Sequence, residues 1–424
     1  MMRKLALVLF SVAALVLASC GGSSSSTASK PATTVVLHFW NAYNTTDKEA
    51  STMANVIIPR FEKEHPGIKV VSDVFPYSEL LPKLLAAISA GNPPDLVRSD
   101  IIWVPQLAQQ GALVPLSKDL PGFSKLAKET FPGPLSTCEW KGVYYGLPLD
   151  TNTQVLFYNK TDFAAAGIQN PPSTLSELFQ DAVKLTNPAK HQWGLGVDGT
   201  DIWNVSPFIW SYGGSFTNPT YTKASGYLNG PTTVAIITKL VDMYRKGYIG
   251  NDFLGGSGAI SGEQGFPKGQ YAMYIDGPWA VATYQQSFPS LSYGMEPMPP
   301  GAGGSRSVTG GEDIVIPAGS KHIKQAELFL KFLLSPWAQL KMAEVGQMSV
   351  LKTISNQEIA AVPYYAPFAK QLLTAEARPP VPQYTQLDTD FSNGLQEILK
   401  GAPIQATLNS VASQIDALLA QNGG

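Results

Sequence analysis

Between residues 35 and 111 short apolar runs alternate with amphipathic segments of helical period, and that alternation constrains the fold more than any other feature. Val35-Val36-Leu37-His38-Phe39 reads as a strand. The spacing then predicts a helix over 45–64, with Met53, Val56, Ile57 and Phe61 on one face and a kink at Pro59. His65-Pro66-Gly67 stops it, and Ile68-Lys69-Val70-Val71 begins a second strand. A second helix is expected over 79–90, where Leu80, Leu81, Leu84, Leu85 and Ile88 fall in phase before the terminator Gly91-Asn92-Pro93-Pro94. Asp95-Leu96-Val97-Arg98 is the third strand, followed by a helix through Leu107 with Gly111 as its C′ residue. Such a βαβαβ succession requires a mostly parallel sheet covered by helices. Ligands of such sheets sit beyond the C-terminal ends of the strands.

A second α/β block begins after Leu147-Pro148-Leu149-Asp150, with helices expected over 174–185, 232–245, 320–334 and through Leu408, Val411, Ile415, Leu418 and Leu419. No fixed-period repeat is present. A chain of 424 residues is long enough for two cores. Hydrophobic residues at 44% against 15% charged residues exclude a disordered chain. The net charge of −2 leaves no electrostatic footprint for nucleic acid. Two cysteines form no disulfide framework, four scattered histidines give no metal-ligand spacing, and no cofactor motif stands in its required context.

The N-terminus supplies an address. Met1-Met2-Arg3-Lys4 is a positive start, and the apolar run from Leu5 to Ala18 is too short to span a bilayer but suits the core of a secretory signal. Leu17-Ala18-Ser19-Cys20 matches the bacterial lipobox, in which the cysteine is lipidated and becomes the new N-terminus. Residues 1–19 are therefore expected to be a signal peptide. Residues 20–34 are expected to be the lipidated Cys20 and a Gly/Ser-rich tether, holding the protein on the outer face of the cell membrane. Cys138 then has no partner and is expected to be a buried or half-buried thiol.

Five stretches in order resemble the extracytoplasmic solute-binding proteins of sugar-type ABC importers, the maltose-binding-protein-like family. They are Phe39-Trp40-Asn41 with the Phe61-Glu62-Lys63 helix and Pro66-Gly67-Ile68-Lys69-Val70; Gly91-Asn92-Pro93-Pro94-Asp95-Leu96; Leu147-Pro148-Leu149-Asp150 leading into Leu156-Phe157-Tyr158-Asn159-Lys160; Gly269 to Trp279; and Gly310-Gly311-Glu312-Asp313 before Ile314-Val315-Ile316. The resemblance implies two α/β lobes, each a mostly parallel sheet flanked by helices, around a hinged cleft. It implies one lobe from 35–148 plus 298–345 and the other from 149–297 plus 346–424, with crossovers near 148–152 and 293–300. It also implies hinge closure on a solute, with no catalysis and no cofactor. The expected partners are a sugar, the permease subunits of the importer and, through the lipid anchor, the membrane; the protein itself is expected to be a monomer.

A sugar site needs planar hydrogen-bonding groups at the rim of the ring and aromatic rings on its faces. Loop tips after the first three strands offer Trp40, Asn41 and Tyr43; Tyr77; and Ser99 and Asp100. By resemblance, Asn152 stands where maltose-binding protein carries a ligand-binding acid. Asp201 and Trp203 precede a family ligand position, Trp279 falls on the family's stacking tryptophan, Gly310, Gly311 and Glu312 match a cleft loop, and Arg378 lies in the last cleft-edge segment. Trp103, Trp140, Trp193, Trp210 and Trp337 read as packing residues, and Trp40 reads equally as ligand platform or as packing. A glycoside hydrolase would offer Asp201, Glu263, Glu312 and Asp313, but no spacing singles out a catalytic pair. Gly194-Leu195-Gly196-Val197-Asp198-Gly199 matches the dinucleotide pattern but lacks the strand that must precede it. Within the family, a glycerol-phosphate binder would use Arg98 and Arg378.

Overall fold

The computed structural model describes residues 34–421; Cys20, the signal segment and most of the tether lie outside the described residues. Strands β1 (Val35–Asn41), β2 (Ile68–Val74) and β3 (Leu96–Asp100) pair in parallel, with Val35 opposite Ile68 and Phe39 opposite Leu96. The long strand β8 (Ser307–Val315) runs antiparallel to β3 and to β4 (Gly146–Thr153), and parallel to the short β9 (Ala375–Ala377). The sheet order is β9-β8-β3-β1-β2, with β4 paired to β8 as well. Helix α1 (Tyr77–Ser89) covers it with Leu80, Leu81 and Leu84 buried.

The helical segment over 49–64 is not uniform. Glu49–Thr52 and Ile58–Glu64 are α-helical and Met53–Ile57 between them is a π-turn. Pro59 lacks the N–H that would bond back to residue 55, and widening the preceding turn accommodates its ring. The wider turn shifts the phase: Met53, Ile57 and Phe61 are buried as expected, whereas Val56 faces solvent.

The second lobe departs from the mostly parallel sheet expected of it. Strands β5 (Val155–Asn159), β6 (Met273–Asp276) and β7 (Tyr293–Glu296) are antiparallel, in the order β6-β5-β7. Parallel pairing appears only beyond β6, where Trp193 pairs with Tyr271 and Leu195 with Ile249, so this sheet is mixed. The physical reason lies at the crossovers. β5 and β7 continue chains arriving from or returning to the first sheet, and their direction is set there rather than by a helical crossover within the lobe.

Separate apolar cores lie under the two sheets. One gathers Leu37, Phe39, Phe61, Leu147, Ile314 and Phe329; another gathers Leu156, Phe208, Ile236, Phe391 and Leu408. Phe157 centres a third, aromatic core, with Tyr274 at 5.1 Å, Tyr293 at 6.0 Å, and Tyr284 and Phe368 at 6.2 Å between ring centroids. Cys138 is buried, as expected of a thiol without a partner. No helix among the described residues is long and apolar enough to cross a membrane. Truncating Phe157 to alanine removes a ring that its neighbours cannot replace. Urea unfolding monitored by circular dichroism should show a loss of about 3–5 kcal/mol.

Candidate functional site

A cavity of about 510 Å³ opens where the C-terminal ends of β1 and β3 meet the middle of β8 and the elements of the second lobe. Alternation along β3 decides which of its residues reach it. Arg98 and Asp100 point to the cavity, and Ser99 points the other way, fully buried with its hydroxyl donating to the Asp100 carbonyl at 3.0 Å.

Arg98 is the centre of the first-lobe wall. Its Nε donates to Asp150 Oδ2 at 3.1 Å, and its Nη2 donates to Glu312 Oε2 and to Gln347 Oε1, both at 2.7 Å. Gln347 Nε2 in turn donates to Glu49 Oε1 at 2.6 Å. Burial opposes the charge of Arg98, but Asp150 and Glu312 outweigh it and hold the guanidinium protonated. Burial pushes Glu312 well above the ordinary carboxyl range against the pull of Arg98, and Asp150 adds to the rise. Glu49 is pushed up to about 7 by burial and then by Asp47.

Asp100 ties the two sides together. Its Oδ1 accepts from Arg378 Nη2 at 3.1 Å and from the backbone of Ile102 at 2.9 Å, while Oδ2 accepts from the Tyr77 hydroxyl at 2.7 Å. Arg378 follows β9 and spreads its guanidinium over the Trp203 ring at 5.1 Å.

The aromatic wall belongs to the second lobe. Helix α2 (Ile202–Tyr212) begins at the N-cap Asp201, whose Oδ1 accepts from Asn204 N at 3.1 Å, and Trp203 sits in its first turn. In the orientation that satisfies both, the Gln154 amide oxygen accepts from Trp203 Nε1 at 2.6 Å and its nitrogen donates to the Trp203 carbonyl at 3.1 Å. Helix α3 (Pro278–Ser287) starts directly after β6 with Gly277 as N-cap and proline at its first position, which places Trp279 in the opening turn. The two indoles are 6.3 Å apart between centroids and inclined by 30°. Two glycines make room for them: a Cβ on Gly277 would collide with the Trp279 ring, and one on Gly310 with Asn152 Oδ1 and the Trp203 ring.

The cavity thus brings together Tyr77, Asp100, Asn152, Asp201, Trp203, Trp279, Gly310, Gly311, Glu312 and Arg378. The glycine pair lies within strand β8 rather than in the loop expected of it, because Gly310 and Gly311 pair with Asn152 and Thr151.

Four expected residues are elsewhere. Asn41 is fully buried, its amide donating to Phe39 O at 3.1 Å and Ser72 Oγ at 2.9 Å, because β1 and its pairing with β2 continue through it. Trp40 packs on Phe75, 4.8 Å between centroids, outside the cavity. Tyr43 lies buried behind Arg98, whose Cζ is 4.5 Å from its ring, and Ser99 points away as described. Sequence reasoning missed Glu49, Asn204 and Gln347 and weighed Arg98 only for a phosphate; Asn44 and Asp388 line the cavity as well. Asp388, on helix α4 (Tyr384–Leu399), accepts from Ile202 N at 2.7 Å and is pushed up to about 7 by burial and by Asp201. No local motif announces Glu49 or Gln347; they arrive through packing. Asp313, weighed above as a hydrolase carboxylate, is fully buried and accepts from Thr137 Oγ1 at 3.1 Å, away from the cavity. Of the packing tryptophans, Trp103 and Trp210 are buried; Trp140, Trp193 and Trp337 are half-buried.

Two α/β lobes around a lined cleft define a two-lobed binding protein. The bacterial extracellular solute-binding protein family matches residues 44–340, and this chain belongs to it. A binding protein of Brucella abortus is 31% identical over 85% of this chain and 88% of its own length. The maltotriose-binding protein of Pyrococcus abyssi is 25% identical over 82% of this chain and 76% of its own. The sn-glycerol-3-phosphate-binding periplasmic protein of Rhizobium meliloti is 25% identical over 74% and 75%. Among solved structures, an ABC transporter solute-binding protein of Thermotoga lettingae bound with α-D-tagatose superimposes with a TM-score of 0.81 at 26% identity, covering 91% of this chain and all of that one. Each of these relatives is named as a binding protein, and this chain is likewise a binding protein rather than an enzyme.

Replacing Arg98 by methionine would leave Asp150 and Glu312 buried without a counter-charge. Chemical denaturation should register a loss of about 3–5 kcal/mol. The buried carboxyls also set a pH dependence. Glu49, Asp313, Glu358 and Asp388 hold their protons up to about 7 in the folded chain, against ordinary values of 3.8 to 4.5. The folded state therefore binds more protons than the unfolded one through that window, and stability falls as pH rises from about 4 to 7. Melting at pH 5 should occur at a higher temperature than at pH 8.

Proposed function

We propose that this protein captures a carbohydrate, a di- or oligosaccharide, by closing its lobes around the cleft and delivers it to the permease of an ABC importer. The observation that carries this reading is the wall formed by Trp203 and Trp279 beside a rim of carboxylate and amide groups. Inclined indoles offer the apolar faces that sugar C–H groups stack on, and the rim offers acceptors for hydroxyls. The relatives named for maltotriose and tagatose support the same class.

The glycerol-phosphate reading has a relative of its own, but the charges speak against it. Both arginines that would hold a phosphate are already engaged, Arg98 by Asp150 and Glu312 and Arg378 by Asp100. Five carboxyl groups line the cavity against two guanidiniums, so among the described residues the lining offers an anion no unpaired cation.

In this reading residues 35–148 with 298–345 form the lobe bearing Arg98 and Asp100, and residues 149–297 with 346–424 form the lobe bearing the indoles. Lipidated Cys20 tethers a monomer to the outer face of the membrane, where the permease meets it. Metabolic labelling with palmitate, lost in Cys20→Ala, tests the anchor.

Thermal melting against neutral sugars and glycerol phosphates tests the solute. A micromolar ligand at millimolar concentration should add about 4 kcal/mol to the folded state. A shift with sugars and none with glycerol phosphates is expected; the reverse would replace the reading. Trp279→Ala should then weaken sugar binding about 10- to 100-fold by calorimetry, the loss of one stacking face. Unchanged affinity in the folded variant would remove that residue from the site.

A further inference from the structure

The hydrogen-bonding atoms around the cleft are unequally committed. Several of its donors are spent on the protein itself. Arg98 bonds Asp150, Glu312 and Gln347, the Tyr77 hydroxyl bonds Asp100, and the Gln347 amide bonds Glu49. Asn204 Nδ2 is shared between the Asp198 carbonyl and Asp201 Oδ2, each at 2.7 Å. The Trp203 indole N–H faces the Gln154 amide oxygen. Arg378 Nε has no partner, but it is sealed from solvent with its guanidinium set against the rings of Trp203 and Tyr384, at 5.1 and 5.7 Å.

Carboxyl groups outnumber guanidiniums around the cavity, and they stand on both of its walls. Arg378 answers Asp100 at 3.1 Å, which leaves Asp201 and Asp388 facing the cavity without an ion pair among the described residues. Behind them lie Asp198, Asp252, Glu263 and Asp276. Burial pushes each of these carboxyls up, and a neighbouring carboxylate pushes each further. Asp276 ends the strand that leads through Gly277 into Trp279, so this group of acids, without an ion pair among the described residues, adjoins the helix start that carries the indole. Indole faces next to unpaired carboxylates form a site for a positive charge, which gains from the ring quadrupole and from the carboxylates together. A hydroxyl in the same place would supply a donor but leave the charge unanswered.

We propose that the solute carries a protonated amine, so that the ligand class is an amino sugar or an amino-sugar oligosaccharide, its ammonium held by Asp388 and Asp201 beside Trp203 and Trp279. This rests on the carbohydrate-capture reading above and narrows it. Calorimetric titration of the purified protein with matched pairs tests it: D-glucosamine against D-glucose, D-galactosamine against D-galactose, and the β-1,4-linked glucosamine disaccharide against cellobiose. In at least one pair the amine-bearing member should bind tenfold or more tightly than its hydroxyl counterpart. Asp388→Asn and Asp201→Asn, each checked for folding by melting, should collapse that preference to below threefold.

Equal or tighter binding of the neutral members overturns the inference and leaves carbohydrate capture standing. A preference that survives in both folded variants overturns the assignment of the ammonium to this corner. Absence of binding by every sugar of both kinds, with the protein folded, overturns carbohydrate capture and this inference with it.

Discussion

The structure depends on how Arg98 is held. Its guanidinium is buried at the end of β3 and joins four separate parts of the chain: Asp150 on β4, Glu312 on β8, Gln347 after the helix over 336–343, and through Gln347 the acid Glu49. A charge this deep persists only when its donors meet acceptors with good geometry, and two of the acceptors here lie more than two hundred residues from Arg98 along the chain. The network fixes the middle of β8 against β3 and β4. Because β8 also pairs with β9, the same strand sets the origin of Arg378. Asp100 then carries the connection across the cleft to that second arginine.

The second-lobe wall works by a different device. There the rings stand at helix starts, Trp203 after the N-cap Asp201 and Trp279 after Gly277-Pro278, where the first turn leaves a side chain free of the helix's own packing. Glycine at 277 and 310 lets backbone pass where any Cβ would meet an indole. The cleft thus has one side built from charge pairing within a sheet and one built from aromatic residues on helix ends. Hinge closure would bring a solute between the two.

Much of this was legible in order along the chain. The βαβαβ succession, the helix α1 face, the helix expected over 174–185 and Gly111 at positive φ all follow from local pattern, and the structure has them. The indoles and glycines were legible through the resemblance of their flanking motifs. The loop-tip reading failed where a strand ran further than its apolar residues: Asn41 and Trp40 belong to β1 because β2 continues to pair with them. The parallel second sheet failed because its strand directions are inherited from crossovers, which no local period records.

By itself the sequence determined the alternation of strands and helices, the position of the turns, and the presence of aromatic and acidic residues beside them. Period, capping and backbone restriction are properties of neighbouring residues, and they can be read without knowing what lies across the fold. Only the tertiary structure decided that Ser99 faces away while Arg98 and Asp100 face in, that Glu49 and Gln347 join the wall, and that the arginines are already paired. Those facts depend on which distant groups share a desolvated space. The energy of a buried charge is set by those neighbours, not by its place in the chain.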